Sequence, residues 1–465
     1  MPNDPDMNFR VRDPVHGFIP FGQQERDVIA TWPIQRLRGI SQLAFTSLAY
    51  PGATHSRFEH ALGTMHLAGM IARKVKLPKK ERRRIRLAAL LHDAGHGPFS
   101  HVSEVPMAIL TETAGLLPDG MTTKNLHEQV TVELVLRDSE LRQAIPARAD
   151  REWIAQTLDT RNEHPPLLIG RQIVSGAIDA DKLDYLMRDS LMAGVRYGII
   201  DVERVVDCCT TWPGREKQLA ITHHGIPAVD QVVVARYHMT EQVYRHKTRR
   251  ITDVMVQRAA IEAGSCGCLD RALKEAFVFR ARSRKWRQAF LATDDAWLLH
   301  RFLGQPATSA PRKIVERLRA RRLPKEVFGC KLRELGVGAE ARQRLQRERE
   351  QQKDLEQRLA DLLGTEPHLT FLDIRSRENP LYRSPDVPLE KEIKVIRSDG
   401  SDEKLGDCPE SLCNTVKVES EASLHVYAPM DSVAPQHERQ PYEDVRAKVL
   451  DAIREWFGGW SHVAD

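Results

Sequence analysis

Apolar residues recur at three- and four-residue intervals through much of the stretch from Glu25 to Ala320, as in RRIRLAALLHDAG and FEHALGTMHLAGMIARKV. That is the period of helices with one buried face, so a mainly α fold is expected there. The opening VRDPVHGFIPF instead sets Pro and Gly beside alternating apolar residues, which predicts a short hairpin acting as a lid or edge rather than as core. Between Val337 and Gly364, GAEARQRLQREREQQKDLEQRLADLLG is a charged helical run with sparse apolar positions. Strand-like pieces follow, HLTFLDI, EIKVIRS and ASLHVYAPM, broken by a polar tract, and a helix closes near Tyr442–Trp456. The expected layout is a helical domain over 1–330, then a charged helix and a small α+β domain over 331–465. That second domain is expected to be regulatory or oligomerising, with a flexible polar loop at about 398–421.

The length of 465 residues agrees with two units, since single cores seldom exceed about 250–300 residues. Hydrophobic residues at 41% and charged residues at 29% describe a soluble globular protein. The net charge of +5, from 69 basic and 64 acidic residues, does not demand nucleic acid, which stays a compatible but unrequired partner. Seven cysteines form no CxxC pair, which argues against a zinc ribbon and a secreted disulfide framework. No run approaches the ~18–20 apolar residues of a membrane helix, and MPNDPDMNFRVRDPVHG lacks a signal peptide's apolar stretch. A cytoplasmic protein without membrane contact is expected.

Candidate chemistry concentrates in LHDAGHGPFSH, residues 91–101. His92 and Asp93 end an apolar helix, with Gly95 and Gly97 read as its stop. Consecutive helical residues point about 100° apart, so the pair can take neighbouring corners of one coordination sphere. Further ligands are offered upstream by His60 in HSRFEHALGTMHLAG and downstream by Asp179, Asp181, Asp184 and Asp189 in GAIDADKLDYLMRD. Mixed imidazole and carboxylate donors suit Mn, Mg, Fe, Co or Ni better than thiolate-selected metals. An isolated HD pair more often simply caps a helix.

The phrases around the pair are more specific. DPVHGFI, QRLRGISQLAF, YPGATHSRFEHALGT, LLHDAGHGPFSH, HEQ, DADKLDYLMRDS and QVYRHKT occur in an order similar to the HD-superfamily dNTP triphosphohydrolases of the sterile-alpha-motif/HD-domain type and their bacterial relatives. The resemblance runs from about Asp13 to Phe328, more faintly at 424–430, and is expected without a sterile-alpha-motif domain. It implies a helical HD core and hydrolysis of dNTP to deoxynucleoside and triphosphate. By this resemblance His60, His92, Asp93 and Asp181 would hold a divalent ion, which polarises an α-phosphate oxygen and acidifies water.

The resemblance also implies His101 as general acid, with His127 and His96 beside it and Glu104 standing where the family commonly has an acid. Arg57, Lys182 and Arg236 match phosphate contacts, Tyr185 and Tyr244 residues around the sugar, and Gln42 and Asp189 groups that bond the 3′-hydroxyl. Leu43 matches a residue that packs on the sugar. A histidine of mammalian members falls on Thr240, and their guanine-reading acid falls near Ala30. Gln35, Arg38, His246, Lys247, Arg321 and Lys325 resemble positions that bind regulatory nucleotide between subunits, implying a nucleotide activator and a homo-oligomer, dimer or tetramer. Two other readings stand beside this one: an HD phosphohydrolase acting on another nucleotide or a nucleic-acid phosphoester, and a nucleotide-sensing or nucleic-acid-binding scaffold with a vestigial site.

Overall fold

A computed structural model describes residues 7–118, 125–212, 217–265, 270–335, 349–376, 393–415, 422–429 and 440–458. The fold is mainly α with small sheets. Two compact units interleave along the chain: Met1–Arg249, Gly264–Arg301 and Pro380–Lys417 in the first, Arg250–Ala263, Phe302–Asn379 and Val418–Asp465 in the second. A single boundary at 330/331 remains a proposal about how the chain divides.

In the first unit, β1 (Phe9–Asp13) and β2 (Gly17–Phe21) form an antiparallel hairpin. Its end is not merely an edge, because Asp13 and Ile19 are buried. Helix α1 (Arg57–Lys74) starts at Ser56, whose Oγ accepts from Phe58 N while Glu59 accepts from Ser56 N at 3.0 Å, a reciprocal cap that fixes where the helix begins. It packs against α2 (Lys79–Leu91), which is apolar from Leu87 to its end, and is buried along most of its length. Three further helices frame the site: α3 (Glu104–Thr113), α4 (Leu126–Arg137) and α5 (Ala180–Ala193). Asp179 caps α5 by accepting from Lys182 N at 2.7 Å, and Gly194 closes it in the left-handed region at φ +71°, where a side chain would be strained.

The glycines after His92 differ from expectation. Helix α2 ends at Leu91 without a left-handed cap, and neither Gly95 nor Gly97 has positive φ. A Cβ on Gly95 would instead lie 2.1 Å from the His127 carbonyl, so this glycine lets α4 approach closely. The start of α4 thereby reaches the HD segment.

The helical stretch also holds strands the hydrophobic period did not reveal. β3 (Cys209–Trp212) and β4 (Gln218–Thr222) pair antiparallel, β4 pairs parallel with β7 (Lys394–Ile396), and β8 (Asp402–Lys404) completes the order β3-β4-β7-β8. Thus EIKVIRS joins this sheet. The tract expected to be a loose loop from about 398 is structured through Thr415: Ser411 Oγ and Leu412 N donate to buried Asp230 at 2.7 and 2.9 Å. Residues 416–421 lie outside the described residues.

The second unit holds β5 (Lys325–Lys331), β6 (Phe371–Ser376) and β9 (Ala422–Ala428), antiparallel in the order β5-β9-β6. Helix α6 (Arg349–Leu363) realises part of the charged run, and α7 (Gln440–Gly458) is the last described element; Leu355, Leu359, Val449, Ile453 and Trp456 pack with Phe328, Leu424 and Val426. Residues 336–348 of the charged run are outside the described residues. Cys208, Cys209, Cys330, Cys408 and Cys413 are free thiols, and Cys266 and Cys268 are not described. Among the described residues no helix is long and apolar enough to cross a membrane.

Candidate metal centre and nucleotide pocket

Four residues from three segments distant in sequence converge where α1, the end of α2 and the first turn of α5 meet. The ligand atoms of His60, His92 and Asp93 lie within 4.8 Å of one another. Asp181 Oδ1 stands 3.0 Å from His60 Nε2 and 3.7 Å from His92 Nε2. Each imidazole is oriented from behind: His60 Nδ1 donates to Asp184 at 2.8 Å, and His92 Nδ1 to the Ala89 carbonyl at 2.7 Å. Both Nε2 atoms therefore face the centre, oriented from behind as metal-ligating histidines need.

Charge at this point fits a cation. His92 Nε2 is buried and has no hydrogen-bond partner, an orphan a bound ion would satisfy. Burial lowers His60, but its bonds to Asp181 and Asp184 outweigh this and raise it to about 10. His92 is likewise raised by Asp93 and Asp181 against its own burial. Burial also disfavours the charged form of Asp93, yet the Arg57 guanidinium, 2.5 Å away, holds it well below the usual carboxylate range. The carboxylates thus favour positive charge at the centre, and the mixed N/O donor set suits a divalent ion.

Behind the ligands lies a charged network that sequence reading did not single out. Asp184, offered there only as one of four carboxylates, accepts from His60, from His16 Nε2 at 2.6 Å and from Arg188 through Nε and Nη2, both at 2.9 Å. Arg188 also donates to Asp13 at 2.8 Å. The DPVHG turn supplied the signal, since a buried pairing explains Asp13 and His16.

Asp93 links the ion site to a second group. Its Oδ1 is 3.2 Å from His96 Nε2, and His96, His101, Glu104 and His127 offer ligand atoms within 4.8 Å of each other. Glu104 Oε1 sits 2.6 Å from His101 Nδ1, 3.1 Å from His127 Nδ1 and 3.4 Å from His96 Nδ1. Burial pushes Glu104 up, but His127 and His101 hold it below the usual carboxylate range. Burial lowers His127, yet Glu104 raises it to about 8. Burial and Arg57 both drive His96 down, keeping it neutral. Arg36 steadies this segment by donating to the His96 carbonyl at 2.7 Å.

The backbone before His101 is unusual. Phe99 and Ser100 are consecutive non-glycine residues at φ +56° and +59°. Asp295 accepts from Phe99 N at 2.5 Å and from Ser41 N at 2.8 Å, while Ser100 Oγ donates to the Ser41 carbonyl and accepts from Arg57 Nε. One carboxylate thus joins the turn carrying His101 to the segment carrying Gln42.

His92, Asp93, Asp181, His96, His101 and His127 line a pocket of about 430 Å³ with Gln42, Leu43, Arg57, Tyr185, Asp189 and Tyr244, whereas His60 and Glu104 are not part of its lining. Tyr185 and Tyr244 meet edge to face at 6.0 Å. Asp189 accepts from Tyr244 Oη at 2.8 Å and from His55 Nε2 at 2.7 Å. Tyr244 ends a π turn, Thr240–Tyr244, a form common at functional sites. Lys182 and Arg236 do not line the pocket; Lys182 Nζ donates to the Gly176 carbonyl and Asp179. Arg249, which sequence reading did not name, lines it 5.6 Å from the Tyr244 ring centre, and Glu128, Leu158 and Ser175 join it.

The expected regulatory residues lie elsewhere. Gln35 accepts from Arg38 Nε at 2.9 Å, and Arg38 lies 3.6 Å over the Phe58 ring. His246 meets Tyr50 edge-on, and Lys247 opens the following helix. Arg321 and Lys325 belong to the second unit.

Residues 57–189 match the HD domain, and residues 200–400 match the HD associated region. The chain carries an HD domain. The candidate ligand set falls within the matched span, from His60 in α1 to Asp181 in α5. The HD protein is 36% identical over 54% of its length to an uncharacterized protein of Methanocaldococcus jannaschii, covering 49% of that protein. It is 28% identical to a Dictyostelium discoideum protein named deoxynucleoside triphosphate triphosphohydrolase SAMHD1 homolog, over 70% of this chain and 62% of that one. A phosphohydrolase structure from Bacteroides thetaiotaomicron shares the fold at a TM-score of 0.70 and 22% identity, covering 90% of this chain and 99% of that chain. The chain spans about half the length of the first curated relatives it matches.

Proposed function

We propose that this HD protein is a metal-dependent phosphohydrolase that cleaves dNTP to deoxynucleoside and triphosphate. The carrying observation is one pocket in which an ion-ready His/Asp set adjoins a carboxylate-held histidine group and a tyrosine wall. His60, His92, Asp93 and Asp181 would hold a divalent ion, which when bound supplies Lewis-acid polarisation of phosphate and a more acidic water. Arg57 meets phosphate charge while fixing Asp93. His101, held at Nδ1 by Glu104, delivers a proton from its other nitrogen to the departing 5′-oxygen. Glu104 and the protonated His127 keep that histidine oriented and the local charge balanced. Tyr185 and Tyr244 fill the space around the sugar and disfavour a 2′-hydroxyl, and Gln42 with Asp189 faces the 3′-hydroxyl. The similarity to a protein named as a triphosphohydrolase supports this substrate class.

Nucleotide activation and assembly through Gln35, Arg38, His246, Lys247, Arg321 and Lys325 belong to the same proposal. The test is hydrolysis of dNTPs, NTPs and dNMPs by protein loaded with Mn or Mg, singly and in dNTP pairs, with all products resolved. Free triphosphate with deoxynucleoside is the expected result; release of orthophosphate or pyrophosphate, or turnover of monophosphates alone, overturns the reading.

A further inference from the structure

The first unit has a second hollow, larger than the HD pocket. About 640 Å³ in volume, it lies between the hairpin's end, α1 and the start of α2. Arg73, Lys79, Lys80, Arg82 and Arg83 line it around Arg86. Arg86 is only 4% exposed. It donates from Nε and Nη2 to Glu25 at 2.5 and 3.0 Å and from Nη2 to the Pro20 carbonyl. A Cβ on Gly69 would lie 2.4 Å from Arg86 Nη1, so that glycine is what lets the guanidinium lie across α1.

Of the acids nearby, Glu25 and Asp150 are engaged, while Glu81, in the first turn of α2 with its buried Oε2 lacking a hydrogen-bond partner, does not line the hollow. Glu25 is the one acidic lining residue among those described, and its carboxylate serves Arg86 and Gly22 N. Asp150 accepts from Arg83 and Arg84. Four cations also occupy the first five positions of α2, whose N-cap, Pro78, contributes no side-chain acceptor. Positive charge there opposes the helix dipole, and such a breach of local preference commonly marks a functional position. Among the described residues no aromatic ring lines the hollow, so none of them is placed there to stack a base.

We propose that this basic hollow is a second anion site, distinct from the HD pocket, that takes a linear phosphate chain through its phosphates alone. Inorganic triphosphate is the shortest probe with the required charge density, and the site stands whether or not the HD pocket releases that product. Its recognition is electrostatic, so affinity should fall steeply with salt.

Calorimetric titration of the full chain with inorganic triphosphate, in chelator, tests it on the parent, Lys80→Ala/Arg82→Ala and Arg57→Gln. The double variant should bind triphosphate at least tenfold more weakly while retaining parental hydrolysis, and Arg57→Gln should keep the salt-sensitive event. Unchanged binding in the double variant, or loss of all binding in Arg57→Gln, overturns the proposal. A parallel arm uses a single-stranded oligonucleotide: if only its binding depends on Lys80 and Arg82, the surface is a nucleic-acid contact and the phosphate-chain assignment is wrong. Arg73→Ala, on α1, provides the same readout should the double variant melt early.

Discussion

Replacing Asp295 by alanine should cripple turnover without touching any residue that meets substrate. Its carboxylate accepts from Phe99 N and Ser41 N, and burial lifts it to about 6, so above that pH both oxygens accept. Hydrogen bonds to a charged acceptor contribute about 1.5–3 kcal/mol each; with Asp295 only half-buried, about 3 kcal/mol for the pair is reasonable. Holding Phe99 and Ser100 in the left-handed region costs roughly 1–2 kcal/mol per residue, or about 2–4 kcal/mol. The two quantities nearly cancel, so removing the brace should relax the turn rather than unfold the protein. His101 follows immediately, and a displacement of about 1 Å can cost on the order of 100-fold in rate. The assay is kcat and KM for the dNTP turned over best, with ion stoichiometry and urea denaturation alongside. The expected result is a kcat reduced about 100-fold, an unchanged ion content and a stability loss below about 3 kcal/mol. Asp295→Asn, keeping one acceptor, should fall between. Parental kcat in Asp295→Ala would refute the brace.

Three other outcomes follow from the site. His92→Ala should abolish ion binding at little cost to stability, whereas Asp93→Ala should also lose about 3–5 kcal/mol because it strands buried Arg57; equal urea midpoints for the two would contradict this. His127, raised to about 8 from an unfolded value near 6.5, contributes stability that is whole below about pH 6.5 and lost as pH climbs through 8. Glu104→Gln should flatten that loss, at most about 2 kcal/mol, and a pH–stability curve superimposable on the parent's would rule the pair out. Tyr244→Phe, which deletes the bond to Asp189, should raise KM for dATP about tenfold; comparable turnover of ATP and dATP by the parent would dispose of the sugar gate.

Local pattern carried the helices, the hairpin and the HD pair, because each of those has a short-range sign: a period, a turn dipeptide, a histidine beside an aspartate; Asp181 was set apart from three other carboxylates by the family resemblance alone. What stayed hidden depends on partners far apart. Asp13, His16 and Arg188 look like surface charges, and Asp184 like one more candidate ligand, until the chain folds them into one buried network. β3 and β4 are too short for their alternation to stand out among helices, and β7 joins them from far downstream. Gly95 read as a helix stop because a glycine after a helix usually is one; its actual use, admitting the His127 carbonyl, is a tertiary contact. Asp295 and Arg249 sit in ordinary helical sequence, and only spatial proximity gives them a role.

The reach of the buried network also sets a timetable. Arg188 and Asp13 are separated by 175 positions, His60 and Asp184 by 124. As the chain leaves the ribosome, His60, His92 and Asp93 emerge well before Asp181 and Asp184, an interval of roughly 5–20 seconds at ordinary elongation rates. During it two imidazoles and one carboxylate are exposed without the carboxylates that complete and orient them. Ions that bind such partial nitrogen-rich sets most tightly, copper and zinc above manganese or magnesium, have that window to enter first. If the proposed site loads during synthesis, the metal recovered with the protein should record the ion pool in which it was made, and apo protein reloaded after folding is the material on which metal preference should be measured.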